Sequence, residues 1–126
     1  MGKELKTVLL VDDEPNILVP LEFLIKGEGY RTLTASNGKQ ALRIMETVQP
    51  DLVLLDVMMP EMNGFETARE IRQNPEWAEI HIIFLTAKGT HEDKINGYTS
   101  GGEIYLTKPF NNDELLSTVN EILEFG

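Results

Sequence analysis

Residues 51–60, with the sequence DLVLLDVMMP, join an uninterrupted apolar run to an aspartate. The run Leu52–Leu55 is short and has no polar residue, which is typical of a strand buried on both faces of a parallel sheet. Asp56 follows it directly, and a carboxylate there is costly to remove from water unless a neighbouring group compensates it. The segment therefore predicts a buried strand with a functional aspartate at its carboxyl end.

Three further apolar runs also end on polar residues. Each is followed by a residue able to contact phosphate or its counterion: Asp12 and Asp13 after residues 7–11, Thr86 after residues 80–85, and Lys108 after residues 104–107. Ligands of open parallel sheets bind beyond the carboxyl ends of the strands. We therefore expect three carboxylates, one hydroxyl and one amine to converge at one edge of the sheet. Carboxylates indicate a hard cation, and the hydroxyl and the ammonium group indicate an anion beside it.

Segments with helical periodicity alternate with these runs. Five helices are predicted, and they cover Pro15 to about Gly27, Lys39–Val48, about Phe65–Gln73, about His91–Thr99 (a weak helix), and the segment that starts at Asn112-Asp113-Glu114. Pro20 lacks the N–H that would bond to the Asn16 carbonyl, so we expect a kink or a loosened first turn there. Arg31–Ala35 is a more polar strand that suits a sheet edge. The alternation predicts a doubly wound, three-layer α/β sandwich with a parallel sheet.

Composition sets the limits on function. At 126 residues the chain is expected to form one domain, residues 1–126, and it has no cysteine for a disulfide or a thiolate site. The net charge of −10 disfavours nonspecific nucleic-acid binding, which needs a basic face. No apolar run approaches the roughly 20 residues of a membrane span. The polar N-terminus does not resemble a signal peptide, so we expect a cytoplasmic protein that does not enter a membrane.

Taken together, the motifs resemble the receiver domain of two-component response regulators, over essentially the whole chain. The segments that carry the resemblance are residues 8–15 (VLLVDDEP), 51–60 (DLVLLDVMMP), 62–64 (MNG), 85–87 (LTA) and 105–110 (YLTKPF). The resemblance implies a flavodoxin-like (βα)5 fold whose five parallel strands lie in the order 2-1-3-4-5.

The resemblance also implies a phosphorylation site. Asp56 would be the phosphoacceptor, and Asp12, Asp13 and Asp56 would bind Mg²⁺ together with the backbone carbonyl of Met58. Mg²⁺ takes oxygen ligands and often joins carboxylates to phosphate. An aspartate nucleophile gives an acyl phosphate.

Three further residues would complete the switch. The Thr86 hydroxyl would bond a phosphoryl oxygen, the Lys108 ammonium group would pair with the phosphoryl charge, and Tyr105 would change rotamer together with Thr86 on activation. The protein would then be a signalling switch that catalyses only its own phosphorylation and dephosphorylation.

The resemblance implies two kinds of partner. A histidine kinase or a phosphotransfer protein would supply the phosphoryl group. An output domain or partner protein would bind the face made by the fourth helix, the fifth strand and the last helix. The protein would be a monomer or a phosphorylation-dependent dimer.

Two alternatives stay open at this point. A haloacid-dehalogenase-like phosphatase also combines an aspartate nucleophile with Thr, Lys and Mg²⁺, but it needs a second aspartate two residues later, where this chain has Met58. A pseudo-receiver, which binds partners without being phosphorylated, would have lost Asp56, Lys108 or a member of the acidic pair, and this chain keeps all of them.

Overall fold

The computed structural model describes residues 5–86, 104–107 and 111–125. Its strands are β1 (Thr7–Val11), β2 (Arg31–Ala35), β3 (Leu52–Asp56), β4 (His81–Thr86) and β5 (Ile104–Thr107). They form one sheet in the order β2-β1-β3-β4-β5, and every neighbouring pair is parallel. β1 and β3 therefore lie inside the sheet, and the polar strand β2 lies at an edge, as predicted.

Helices connect and cover the strands. They are α1 (Pro15–Gly27), α2 (Gly38–Thr47), α3 (Gly64–Arg72), a short 3-10 helix (Pro75–Trp77) and the C-terminal helix (Asn112–Phe125). The helix predicted at about His91–Thr99 lies outside the described residues. No helix in the described part of the chain combines the length and the apolar character that a bilayer crossing requires.

Two hydrophobic cores lie on opposite faces of the sheet. Successive residues of a strand point to opposite faces, so Leu9 and Val53 belong to one core and Leu10 and Leu54 to the other. Residues of α2 and α3 complete the first core, and residues of α1 and the C-terminal helix complete the second. Both faces of β1 and β3 are covered, which explains why these strands are apolar at every position. The predicted doubly wound parallel α/β sandwich is confirmed.

Two predicted helix starts are one residue late, because side-chain caps set the true starts. α2 begins at Gly38 because the Asn37 Oδ1 atom accepts a hydrogen bond from the Gln40 N–H at 2.8 Å. α3 begins at Gly64 because Asn63 caps it in the same way. An asparagine cap satisfies an N–H group that has no partner within the helix.

The other helix starts agree with the sequence. α1 begins at Pro15 as predicted and runs as one helix through Pro20. The C-terminal helix begins at Asn112, but its cap is the preceding residue, Asn111, whose Oδ1 atom accepts a hydrogen bond from the Glu114 N–H at 3.0 Å.

Candidate functional site

The register of the sheet brings two aspartates side by side. Val11 of β1 pairs with Leu55 of β3, so these neighbouring strands end level with each other. One position further on, Asp12 directly follows β1 and Asp56 is the last residue of β3. Their carboxylates therefore project from the same edge of the sheet, between the positions where α1 and α3 begin.

Three carboxylates meet at this edge. Asp12, Asp13 and Asp56 each place one carboxylate oxygen in a group whose members all lie within 4.8 Å of one another. Asp12 and Asp56 are only 1% and 3% exposed, whereas Asp13 is exposed to solvent. Two carboxylates of the group are thus buried, and the third faces water. This suits an ion that enters from solution and keeps some of its bound water.

Backbone hydrogen bonds fix the first wall of the site. The Asp12 Oδ1 atom accepts a hydrogen bond from the Glu14 N–H at 2.9 Å, and the Asp12 N–H donates to the Ala35 carbonyl at 3.2 Å. The first bond closes a tight turn between β1 and Pro15, the first residue of α1. Asp12 is thereby held by both neighbouring segments, and its carboxylate cannot turn freely.

The loop from β3 to α3 forms the second wall. The Val57 N–H donates to the Leu85 carbonyl at 3.0 Å, which extends the pairing of β3 with β4 just beyond Asp56. The Gly64 N–H donates to the Val57 carbonyl, also at 3.0 Å, so the start of α3 returns to the end of β3. Between them, Glu61 has a φ of 68°, which is unusual for a residue other than glycine.

Asn63 and Gly64 form the start of α3, and neither was among the predicted site residues. Asn63 and Glu66 form a capping box: each side chain accepts a hydrogen bond from the other's backbone N–H, both at 2.9 Å. The sequence signal was present, because an asparagine three residues before a glutamate marks a helix start. The contact of Gly64 with β3 had no such local signal.

For two other predicted site residues, Thr86 and Tyr105, the structure gives the backbone position. Thr86 is the last residue of β4 and lies one position beyond Leu85, the partner of Asp56. Tyr105 lies in β5 and pairs with Phe84. Lys108 lies outside the described residues. The Met58 side chain is 56% exposed, next to the site.

Comparisons with known proteins agree with one another. A family model described as the response regulator receiver domain matches residues 8–120. The alkaline phosphatase synthesis transcriptional regulatory protein PhoP of Bacillus subtilis is 41% identical over 118 residues, which cover 94% of this chain and 48% of PhoP. This chain thus spans about half the length of that relative.

Two solved structures have the same fold. The chemotaxis protein CheY4 of Vibrio cholerae has a TM-score of 0.91 at 32% identity, with 95% of this chain and 100% of that chain covered. The receiver domain of the sensor histidine kinase PA1611 of Pseudomonas aeruginosa PAO1 has a TM-score of 0.87 at 31% identity, with 96% and 99% covered. The latter structure holds a magnesium ion coordinated in its active site cleft.

Proposed function

Since the chain belongs to the response regulator receiver domain family, we propose that it is phosphorylated on Asp56 as the switch of a two-component pathway. Receiver domains are signalling switches, not enzymes that turn over an external substrate. The observation that carries the proposal is the convergence of Asp12, Asp13 and Asp56 at one end of two neighbouring strands. Asp56 is the last residue of the buried strand β3, and it stands at the position that the resemblance to receiver domains assigns to the phosphoacceptor.

The same carboxylates fit a magnesium ion. The donors are all oxygen atoms, which Mg²⁺ prefers, and the exposed Asp13 leaves room for the waters that this ion keeps. We propose that Asp12, Asp13, Asp56 and the backbone carbonyl of Met58 hold it. The magnesium ion in the similar PA1611 receiver supports this. When bound, the ion supplies positive charge that offsets the carboxylates and the phosphoryl oxygens.

The proposed reaction is a phosphoryl transfer. An Asp56 carboxylate oxygen attacks the phosphorus of the donor and forms a new P–O bond. The P–N bond of a phosphohistidine, or the P–O bond of an acyl phosphate, breaks, and the leaving group keeps the electron pair. The protein contributes by positioning and by charge stabilisation, which dominate in such reactions.

Two further side chains are assigned to the phosphoryl group in this proposal. The Thr86 hydroxyl bonds a phosphoryl oxygen, and the Lys108 ammonium group pairs with the phosphoryl charge. The position of Thr86 beside the strand of Asp56 supports the first assignment. Thr86 and Tyr105 form the switch, and they connect the site to the face of the predicted fourth helix, β5 and the C-terminal helix.

The partners follow from the family. We propose that a histidine kinase or a phosphotransfer protein donates the phosphoryl group in the cytoplasm, and that an output domain or a separate protein binds the switch face. PhoP is by its name a transcriptional regulator, but this chain spans only about half of PhoP. With a net charge of −10, we assign no nucleic-acid contact to residues 1–126. These residues would form a single (βα)5 domain, monomeric or dimeric on phosphorylation.

Labelling with a small phosphodonor tests the proposal. Wild-type protein incubated with acetyl phosphate and Mg²⁺ should gain one phosphoryl group by intact mass, and Asp56→Asn should gain none. Asp51→Asn is the matched control at the opposite end of β3. The Asp51 Oδ2 atom accepts a hydrogen bond from the Thr7 N–H at 2.8 Å, and an asparagine oxygen can accept the same bond. This variant should label like wild type.

Two results would contradict the proposal. Equal labelling of Asp56→Asn would place the acceptor elsewhere. Failure of the folded wild type to label at any Mg²⁺ concentration would favour the pseudo-receiver alternative.

A further inference from the structure

The first turn of α3 contacts the backbone of the proposed phosphoacceptor, and this contact depends on a glycine. The Gly64 N–H donates to the Val57 carbonyl at 3.0 Å. A Cβ atom added at residue 64 would come 2.9 Å from the Val57 Cα atom and closer still to the backbone oxygen of Asp56. Real Cβ atoms essentially never approach within 3.0 Å. Any other residue at position 64 must therefore displace α3 or the end of β3.

The atoms that such a Cβ would meet have little freedom to move. They belong to the backbone of Asp56, the last residue of β3, and of Val57, whose N–H is bonded to the Leu85 carbonyl of β4. Gly27, the last residue of α1, provides a contrast, because nothing lies within 4 Å of a Cβ atom added there.

Two further contacts hold the start of α3 in place. The capping box of Asn63 and Glu66 fixes the first turn. Phe65, which is 8% exposed, packs edge to face on Phe84 of β4, with ring centroids 5.1 Å apart. Gly64 thus lies between the cap residue Asn63 and Phe65, which packs on β4. Its backbone is in close contact with the peptide that joins Asp56 to Val57.

We propose that Gly64 is a positioning residue for the metal and phosphoryl site. Its missing side chain lets α3 press on the Asp56–Val57 peptide, and this sets where the Asp56 carboxylate and the Met58 carbonyl point relative to Asp12. The inference rests on the proposed function, because it assumes that these oxygens bind Mg²⁺. A larger residue at position 64 moves one wall of the site while Asp12 stays in place.

Magnesium affinity, measured by calorimetric titration of the folded protein with Mg²⁺ alone, tests the positioning role. Changes around metal ligands typically lower affinity about 10-fold to 100-fold, and we expect a loss of this order for Gly64→Ala. Asn37→Ala, which removes the side-chain cap of α2, is the control for destabilisation, and it should lose stability in chemical unfolding but bind Mg²⁺ as wild type does. Gly27→Ala is the neutral control, since nothing lies within 4 Å of the added Cβ.

A second pair of variants covers the case in which Gly64→Ala does not fold. Asn63→Ala removes the cap of α3 next to the site, and Asn37→Ala removes the corresponding cap of α2. Both should lose similar stability, because both lose one capping bond. Only Asn63→Ala should bind Mg²⁺ several-fold more weakly than wild type.

The outcomes separate this inference from the proposed function. If wild type binds Mg²⁺ and is phosphorylated, but Gly64→Ala binds Mg²⁺ as tightly as Gly27→Ala does, the positioning role is wrong and the function stands. The same holds if Asn63→Ala and Asn37→Ala bind equally. If wild type binds no Mg²⁺, the metal site itself fails and the inference fails with it.

Discussion

Asp56 is a charged residue at the end of a strand whose other positions are apolar. Its 3% exposure and the 1% exposure of Asp12 mean that two carboxylates lose most of their contact with water next to each other. The effective penalty for burying an ion is several kcal/mol unless the surroundings compensate it. A bound cation would lower this penalty, which agrees with the metal site proposed at the carboxyl ends of β1 and β3.

Glu61 is the residue in the loop beside the site with an unfavourable backbone conformation. At a φ of 68° its Cβ atom is close to a backbone oxygen, which costs an L-residue about 1–2 kcal/mol. Glu61→Gly removes this strain but adds freedom to the unfolded chain, which costs about 0.4–1 kcal/mol. We therefore expect a net gain of up to about 1.5 kcal/mol in the free energy of unfolding, measured with urea.

Glu61→Ala is the control for this prediction. It removes the same charge but keeps a Cβ atom at positive φ, so it should not gain stability. A loss of stability in Glu61→Gly would show that the carboxylate, and not the backbone, decides the preference at this position.

At the scale of elements, α1 carries an internal proline. Pro20 is exposed and cannot donate the backbone hydrogen bond to the Asn16 carbonyl. An interior proline costs a helix about 3 kcal/mol relative to alanine, partly offset by the stiffer unfolded chain. Pro20→Ala should raise the free energy of unfolding by about 2–2.5 kcal/mol in urea unfolding. Val19→Ala, at the neighbouring exposed residue, should change it by less than about 0.5 kcal/mol.

A polar contact joins the C-terminal helix to the turn after α1. The Tyr30 hydroxyl donates to the Asn120 Oδ1 atom, and the Asn120 Nδ2 atom donates to the Glu28 Oε1 atom at 2.9 Å. Tyr30 is only 4% exposed, so its hydroxyl depends on protein partners. Tyr30→Phe should lower the free energy of unfolding by about 1 kcal/mol.

A double-mutant cycle with Asn120→Ala checks that this loss comes from the contact. In Asn120→Ala the hydroxyl already lacks the Asn120 oxygen, so adding Tyr30→Phe should cost less than it does in the wild type. Fully additive losses would mean that the two side chains stabilise the protein independently.

The strands and most helices could be predicted from the sequence, because their signals are local. Apolar runs, Pro15 and the polar character of Arg31–Ala35 each indicated the element that the structure contains. The Tyr30–Asn120 contact could not be predicted, since its partners are 90 residues apart and neither position has an unusual pattern. The contact of Gly64 with β3 likewise becomes visible only when α3 and the strand are placed in three dimensions.

The convergence of the three aspartates was predictable for a different reason. A parallel sheet brings the carboxyl ends of its strands to one edge, so strand order and polarity place Asp12 near Asp56 before any coordinate is known. The sequence could not show that Asp13 would be the exposed member of the group, because that depends on the turn between β1 and α1.

For the whole molecule, the metal should couple to stability. A ligand that binds only the folded state at about 100 times its dissociation constant adds roughly 2.7 kcal/mol. The unfolding temperature should therefore rise with Mg²⁺, and it should rise less in Asp13→Asn, because this variant removes one negative charge from the proposed metal site without disturbing the core.

Ionic strength must be controlled, because the chain has a net charge of −10 and any salt screens repulsion among its acidic residues. The comparison is therefore made against NaCl at the same ionic strength. Equal stabilisation by both salts would mean that screening, and not a site, explains the effect.

The most direct test of the central claim is chemical mapping of the modified residue. An acyl phosphate of aspartate is reduced by borohydride to homoserine, which sequencing of peptides by mass spectrometry locates to one position. After treatment with acetyl phosphate and Mg²⁺, homoserine should appear at residue 56, and it should be absent when Mg²⁺ is chelated. Homoserine at another aspartate, or none in protein that has gained a phosphoryl group, would contradict the assignment of Asp56 as the phosphoacceptor.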